Sequence, residues 1–242
     1  MFGTNVVIVF DFDRTLIDDD SDRWVVHNMG LTHFFNNLRL ILPWNALMDR
    51  MMEELHSQGK TVEQIAECLK HVPLHPRTIS AIESAHDLGC DLKIVSDANQ
   101  FYIETILKHH RLDRCFSEII TNPTMVDGDG RLRIFPYHDM ASFCGCNLCP
   151  PNLCKGLVIE KIRASRSEKE KSRFIYLGDG RGDYCPTLKL DRRDYVMPRK
   201  GFPLWDRLLS NPNLLKAECH EWSNGEELES ILIQLIEKIC KE

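Results

Sequence analysis

The 242-residue chain is 43% hydrophobic and 27% charged, the composition of an ordinary globular protein with a buried core and no low-complexity stretch. Its net charge of −6 excludes the basic field with which nucleic-acid binders collect phosphates. No apolar run approaches the ~20 residues of a membrane span, and the first ten residues carry neither a basic flank nor a small-residue cleavage site, so the expected location is the cytosol.

The first element, NVVIVF over 5–10, is apolar and β-branched in the manner of a strand buried on both faces. Directly after it, Asp11 to Asp22 contain six carboxylates in twelve residues. Ionised carboxylates repel one another and resist desolvation unless a cation sits among them. Residues 18 to 75 hold no convincing strand but several helical stretches, including MDRMMEELHSQG and TVEQIAECLKHV, the second opening on a Thr61–Gln64 capping box. Beyond them, CDLKIV (90–95), SEIIT (117–121), RFIYLG (173–178) and YVM (195–197) read as strands. Helical patterns lie at about 76–88, 99–110, 155–165 and 224–240. TMVDGDGRLRIF reads as a β-hairpin turning at Asp127 to Gly130; its DGDG lacks the further ligands of a calcium loop. The alternation predicts an α/β fold with a parallel sheet covered on both faces and a site in the loops at the strands' carboxyl ends. The expected division is a core of residues 1–17 and 76–242, with 18–75 as a helical cap.

Four places in this layout carry chemistry. Asp11 and Asp13, two apart at a strand end, can point into one crevice, where one attacks and the other transfers a proton. Ser96, in IVSDAN, offers a hydroxyl and nearby N–H groups to an anion, or else caps the next helix. Lys155 opens a helix whose N-terminus favours anions, though many such lysines are only solvated. Asp179 and Asp183, in YLGDGRGDYCP, sit on a Gly-rich loop that suits a divalent cation or, blandly, a solvent-facing turn. The RGD inside that loop belongs to the metal reading and not to adhesion.

In this order, Asp11-x-Asp13-x-Thr15, Ser96, Lys155 and Gly178-Asp179-x-x-x-Asp183 resemble the four motifs of the haloacid dehalogenase superfamily of phosphatases, over the whole chain. The resemblance implies a Rossmann-like core with the helical block inserted after the first strand as its cap. It implies Asp11 as nucleophile, Asp13 as general acid and then base, and Thr15, Ser96 and Lys155 around the phosphate. Mg²⁺ would be held by Asp11, the Asp13 backbone carbonyl and Asp179, with Asp183 acting through water. More narrowly, FDFDRTLIDDDSDRWVV, IVSDAN, CPPNLCKG and YLGDGRGDYCP resemble the phosphoethanolamine/phosphocholine phosphatase family, including plant relatives described as thiamine phosphate phosphatase-like or as pyrophosphatases. By that resemblance the partner is a small phosphate ester, and Asp22 and Asp97 contact its cationic head. Phosphoethanolamine and phosphocholine are the preferred substrates; thiamine monophosphate also carries a cation, and pyrophosphate ranks lower in so acidic a site. Trp24, Phe101 and Tyr102 are near in sequence and could face an ammonium group. Asp18 to Asp20 read as an exposed turn into the cap.

Ten cysteines complete the inventory. Cys144, Cys146, Cys149 and Cys154, spaced C-x-C-x2-C-x4-C, can close a tetrahedral Zn²⁺ site or remain free or redox-active thiols. Cys68, Cys90, Cys115, Cys185, Cys219 and Cys240 show no pairing and are expected as small buried hydrophobes. A zinc-binding interaction module with merely superficial acidic loops is the non-enzymatic alternative. Oligomeric state leaves no mark in the sequence.

Overall fold

The computed structural model describes residues 4–138, 146–149, 152–166 and 172–242. Six parallel strands form one sheet in the order β3 (Phe116–Asn122), β2 (Asp91–Asn99), β1 (Val6–Phe10), β6 (Arg173–Gly178), β7 (Tyr195–Pro198), β8 (Glu218–Cys219). Strand β1 is central and wholly buried; Val6, Ile8 and Phe10 pack on one face and Val7 and Val9 on the other. That split is the two-residue period of a strand with both faces covered. Helices α5 (Pro76–Asp87), α6 (Gln100–His109) and α10 (Gly225–Lys241) cover the first face, and α7 (Lys155–Ala164) and α9 (Pro203–Ser210) the second. Each fully buried Val, Ile or Phe contributes roughly 1.5–3 kcal/mol, so a polar residue in β1 would be felt in both layers.

Chain order rises from β1 to β3 in one direction and from β6 to β8 in the other, which puts the topological switch between β1 and β6. Connections leave in opposite directions there and open a crevice beyond the carboxyl ends of the two strands. The ladder runs one residue past β1: the Asp11 N–H donates to the Leu177 carbonyl at 2.9 Å. The first residue of the acid-rich stretch is thereby fixed at the crevice.

Between β1 and α5 the chain makes only helices: α1 (Ser21–Asn28), α2 (Thr32–Leu38), α3 (Trp44–Ser57) and α4 (Val62–Leu69). Helix α4 starts on the Thr61–Gln64 capping box. Their apolar residues, among them Val25, Met51 and Ile65, merge with the core on the first face of the sheet. The antiparallel hairpin β4 (Thr124–Val126) and β5 (Leu132–Ile134) is fastened to this block through Asp49 of α3. Asp49 accepts from Arg131 Nη2 at 2.9 Å, Arg133 Nε at 3.0 Å and the Ile134 N–H at 3.0 Å.

Helices α9 and α8 (Tyr184–Thr187) and the two-residue edge strand β8 go unannounced in the sequence, the last two being too short to display a period. Among the described residues, no helix is long and apolar enough to cross a membrane.

Candidate active site

Three buried carboxylates, Asp11, Asp179 and Asp183, converge at the switch point with oxygens within 4.8 Å of one another. Asp11 continues β1, Asp179 follows β6, and Asp183 returns to them through a tight turn. Gly178 permits that turn, because a Cβ there would lie 2.6 Å from the Asp183 Cγ. Asp183 commits both oxygens: Oδ1 accepts from Lys155 Nζ at 2.8 Å and Tyr176 Oη at 2.6 Å, and Oδ2 accepts from the N–H groups of Asp179 at 3.2 Å and Gly180 at 2.9 Å. Lys155, at the start of α7, also pairs with Asp11 Oδ1 at 2.7 Å. Thr15 Oγ1 donates to Asp179 Oδ1 at 3.5 Å.

One ammonium cannot balance three buried carboxylates. Burial, followed by Asp183, holds the Asp11 carboxyl well above its usual range, with Lys155 opposing. Asp179 is pushed up to about 7 by burial and Asp183, against Lys155, Arg14 and Arg199. Burial pulls the Lys155 ammonium down, but Asp11 and Asp183 outweigh it and the net shift is well upward. A divalent cation among the three acids would make the local charge sum to zero. The all-oxygen donor set fits a hard cation, and Asp183, already holding four donors, suits contact through water.

Asp13 Oδ1 accepts from the Ser21 N–H at 2.8 Å. Burial, then Asp20 and Asp22, raise its carboxyl well above the usual range. The exit from β1 is exposed at Asp18, as expected, but not at Asp20. Asp20 is buried, caps α1 through the Arg23 N–H at 2.9 Å, and pairs with Arg14 at 3.2 Å and Arg23 at 3.4 Å. Asp18 pairs with Arg199 at 3.0 Å. Arg14 itself has a φ of 56°, a left-handed conformation that costs roughly 1–2 kcal/mol in a residue with a Cβ.

A cleft of about 730 Å³ opens above these groups, and Asp11, Asp13, Asp22, Asp97, Lys155, Asp179 and Asp183 all line it. Ser96 is fully buried beside it, its Oγ accepting from the Ala98 N–H at 3.3 Å. Asp97 is exposed. Asp22 is buried, with Oδ2 accepting from Trp44 Nε1 at 2.8 Å and Oδ1 from Asn99 Nδ2 at 3.5 Å. Burial and Asp20 push its carboxyl up to about 8, against those two hydrogen bonds.

The aromatic residues near in sequence do not face the cleft. Trp24 Nε1 donates to the Cys68 carbonyl at 3.0 Å, Tyr102 is fully buried with its hydroxyl on Met52 Sδ, and Phe101 packs against the core. The cleft is lined instead by Trp44 and Phe202, together with Arg14, Arg23 and Arg181. Trp44 is held by its bond to Asp22, by the Arg23 guanidinium 5.9 Å over its ring and by Phe35 edge-on at 5.9 Å. Nothing in the sequence links Trp44 to Asp22, which tertiary packing alone brings together. Tyr176 left a fainter signal, a phenol in an otherwise apolar strand whose hydroxyl must find a partner. Beyond Trp44 and Asp97, which line both spaces, lies a second recess of about 390 Å³ walled by Pro43, Ala46, Ile134 and Pro136.

Of the clustered cysteines, Cys144 lies outside the described residues. Cys146, Cys149 and Cys154 come together, and Cys185 joins them with all four sulfurs within 4.8 Å. By spacing, Cys185 belongs with the scattered thiols; the fold carries it to the cluster. Cys90 and Cys115 are buried as expected, whereas Cys219 and Cys240 are exposed.

An α/β sheet with its switch point between β1 and β6, where these acids and this lysine gather, is the fold of the haloacid dehalogenase hydrolases. The fold aligns over 96% of this chain and 72% of a solved HAD family hydrolase from Salmonella enterica serovar Typhi, with a TM-score of 0.62 and 17% identity. The Putative Phosphatase family model matches residues 6–236, and the chain belongs to that family. It is 61% identical, over 98% of both chains, to a thiamine phosphate phosphatase-like protein of Arabidopsis thaliana. It is also 57% identical to inorganic pyrophosphatase 1 of that plant, over 95% of this chain and 79% of the relative. Membership makes the protein an enzyme and removes the reading of its acidic loops as the mere surface of a zinc module.

Proposed function

We propose that this phosphatase is a Mg²⁺-dependent phosphomonoesterase for small esters with a cationic organic group, acting through a phosphorylated Asp11. The observation that carries the reading is the buried acid triad bridged by Lys155, two positive charges short of neutrality at the switch point of the sheet. Mg²⁺ held by Asp11 and Asp179, with Asp183 behind a water, would supply positive charge to the phosphate oxygens and keep Asp11 ionised. Asp11 attacks phosphorus while Lys155 holds its carboxylate in place. Asp13, whose Oδ1 is taken by the Ser21 N–H, carries a proton on Oδ2 and gives it to the leaving oxygen. It then takes a proton from the water that hydrolyses the aspartyl phosphate. Thr15 steadies Asp179, and Ser96 shapes the strand end that presents Asp97.

At the far wall, exposed Asp97 meets the cationic group, and Asp22 holds Trp44 as the partition. The apolar recess past Trp44 supports a substrate with a ring, so thiamine monophosphate ranks above phosphocholine, and phosphocholine above phosphoethanolamine. The name of the 61% identical relative supports the same order. Pyrophosphate is the second reading, favoured by Arg14, Arg23 and Arg181 in the cleft lining and by the name of the 57% identical relative. Arg14 and Arg23 are already paired with Asp20, which weakens it.

Phosphate release from these four compounds, assayed side by side, tests both parts. EDTA should abolish turnover and added Mg²⁺ restore it, and Asp11→Asn should lower kcat by roughly 10⁴-fold. Turnover persisting in Asp11→Asn overturns the mechanism, and pyrophosphate leading the panel overturns the substrate order.

A further inference from the structure

We propose that Cys146, Cys149, Cys154 and Cys185 form a tetrahedral structural Zn²⁺ site that ties the helix of Lys155 to the loop of Asp183. The inference rests on the geometry of the cysteines and is independent of the substrate reading.

All four sulfurs lie within 4.8 Å of one another. The Cys146–Cys185 separation is 3.5 Å and the Cys154–Cys185 separation 3.9 Å. A Zn–S bond of about 2.3 Å in a regular tetrahedron sets sulfurs ~3.8 Å apart, and the two distances bracket that edge. A disulfide needs about 2.05 Å, so Cys185 is placed among three sulfurs and bonded to none. A bridge would use one partner, whereas a metal uses all of them.

The surroundings are shaped for sulfur. Gly156, in the first turn of α7, lies so close that a Cβ there would be 2.5 Å from the Cys185 Sγ. Cys154 stands at the N-cap of α7, where the helix dipole favours negative sulfur.

The site closes a ring with the catalytic groups. Cys154 is bonded in sequence to Lys155, Lys155 pairs with Asp183 at 2.8 Å, and Asp183 stands two residues before Cys185. Zinc joining Cys154 to Cys185 would complete the circuit and fix the entry angle of α7. Binding requires loss of the four thiol protons and changes no oxidation state.

The test uses the full chain, purified under reducing conditions without chelator, with zinc measured by elemental analysis. About one zinc ion per chain is expected, and Co²⁺ in its place should give thiolate charge-transfer and tetrahedral d–d bands. Cys149→Ser and Cys185→Ser should weaken zinc binding by more than the roughly 10–100-fold that outer-shell changes cost; Cys115→Ser and Cys240→Ser should leave it unchanged. Should Cys185→Ser fail to fold, thiol labelling of the unaltered protein serves instead, with the cluster cysteines protected until a strong chelator is added. Absence of stoichiometric zinc after reconstitution, or full zinc and an unaltered cobalt spectrum in folded Cys185→Ser, overturns the proposal, as does labelling unaffected by chelator.

Discussion

The two ends of the cleft are built in different ways. At the phosphate end, Asp11, Lys155 and Asp183 are buried at strand and helix ends and linked at 2.7 and 2.8 Å, with Tyr176 and Gly180 adding bonds of 2.6 and 2.9 Å. At the far wall, Trp44 and Asp22 come from inserted helices, Asp97 stands exposed at the end of β2, and one 2.8 Å bond, from Trp44 to Asp22, joins the two helices there. On the proposed function, the sheet would support the bond-breaking chemistry and the insertion the choice of what is broken. On that division, damage at one end should leave the function of the other intact.

The severest way to break the comparison is Lys155→Ala. It should lower kcat by roughly 10²–10³-fold on every ester alike, charged or not. It also leaves Asp11 and Asp183 unpaired, at a cost of about 3–5 kcal/mol, so folding is verified by circular dichroism before rates are compared. A loss confined to cationic substrates would mean that the lysine reads the leaving group.

A milder change sharpens the comparison from the other side. Asp97→Asn should raise KM for thiamine monophosphate and phosphocholine by about three- to tenfold, the worth of an ion pair of roughly 1 kcal/mol, and leave p-nitrophenyl phosphate nearly unchanged. Equal losses on all three would dissolve the far wall as a separate reader of charge.

The smallest effect concerns stability. The Asp22 carboxyl sits at about 8 in the fold, against an ordinary value of 3.8. The native state therefore keeps a proton that the unfolded chain releases. Its contribution is fully present below pH ~4 and is lost as pH rises through 8. Asp22→Asn should flatten that decline, narrowing the fall in Tm between pH 5 and 8 by at least about 2–4 °C, the shift that 1 kcal/mol gives a chain of this size. Parallel Tm curves for the two proteins would show that Asp22 does not titrate in this range.

The same division governs what was legible in the sequence. Asp11 and Asp179 directly follow strands and Lys155 opens a helix, with Asp13 and Asp183 a short step beyond the first two, so periodicity locates them and parallel topology gathers them. The hairpin and the capping box of α4 were equally readable, since turn and cap chemistry are local. Trp44 reaches Asp22, and Cys185 reaches Cys154, only through packing between elements distant in sequence, for which no spacing rule exists. In the acidic run Asp18 is exposed as expected, yet its partner Arg199 stands 181 residues beyond it, while Asp20 is buried against Arg14 and Arg23. Surplus charge counted along a chain is not surplus once the chain is folded.

Asp49 carries a consequence for the mechanics of the far wall. With four donors from the hairpin seated on one mostly buried carboxylate, the helix bearing Trp44 and the ribbon after β3 form a single mechanical part. Swinging the helix away from the ribbon means rupturing all four bonds together. The helix and the ribbon are therefore coupled, and a displacement of one carries the other with it.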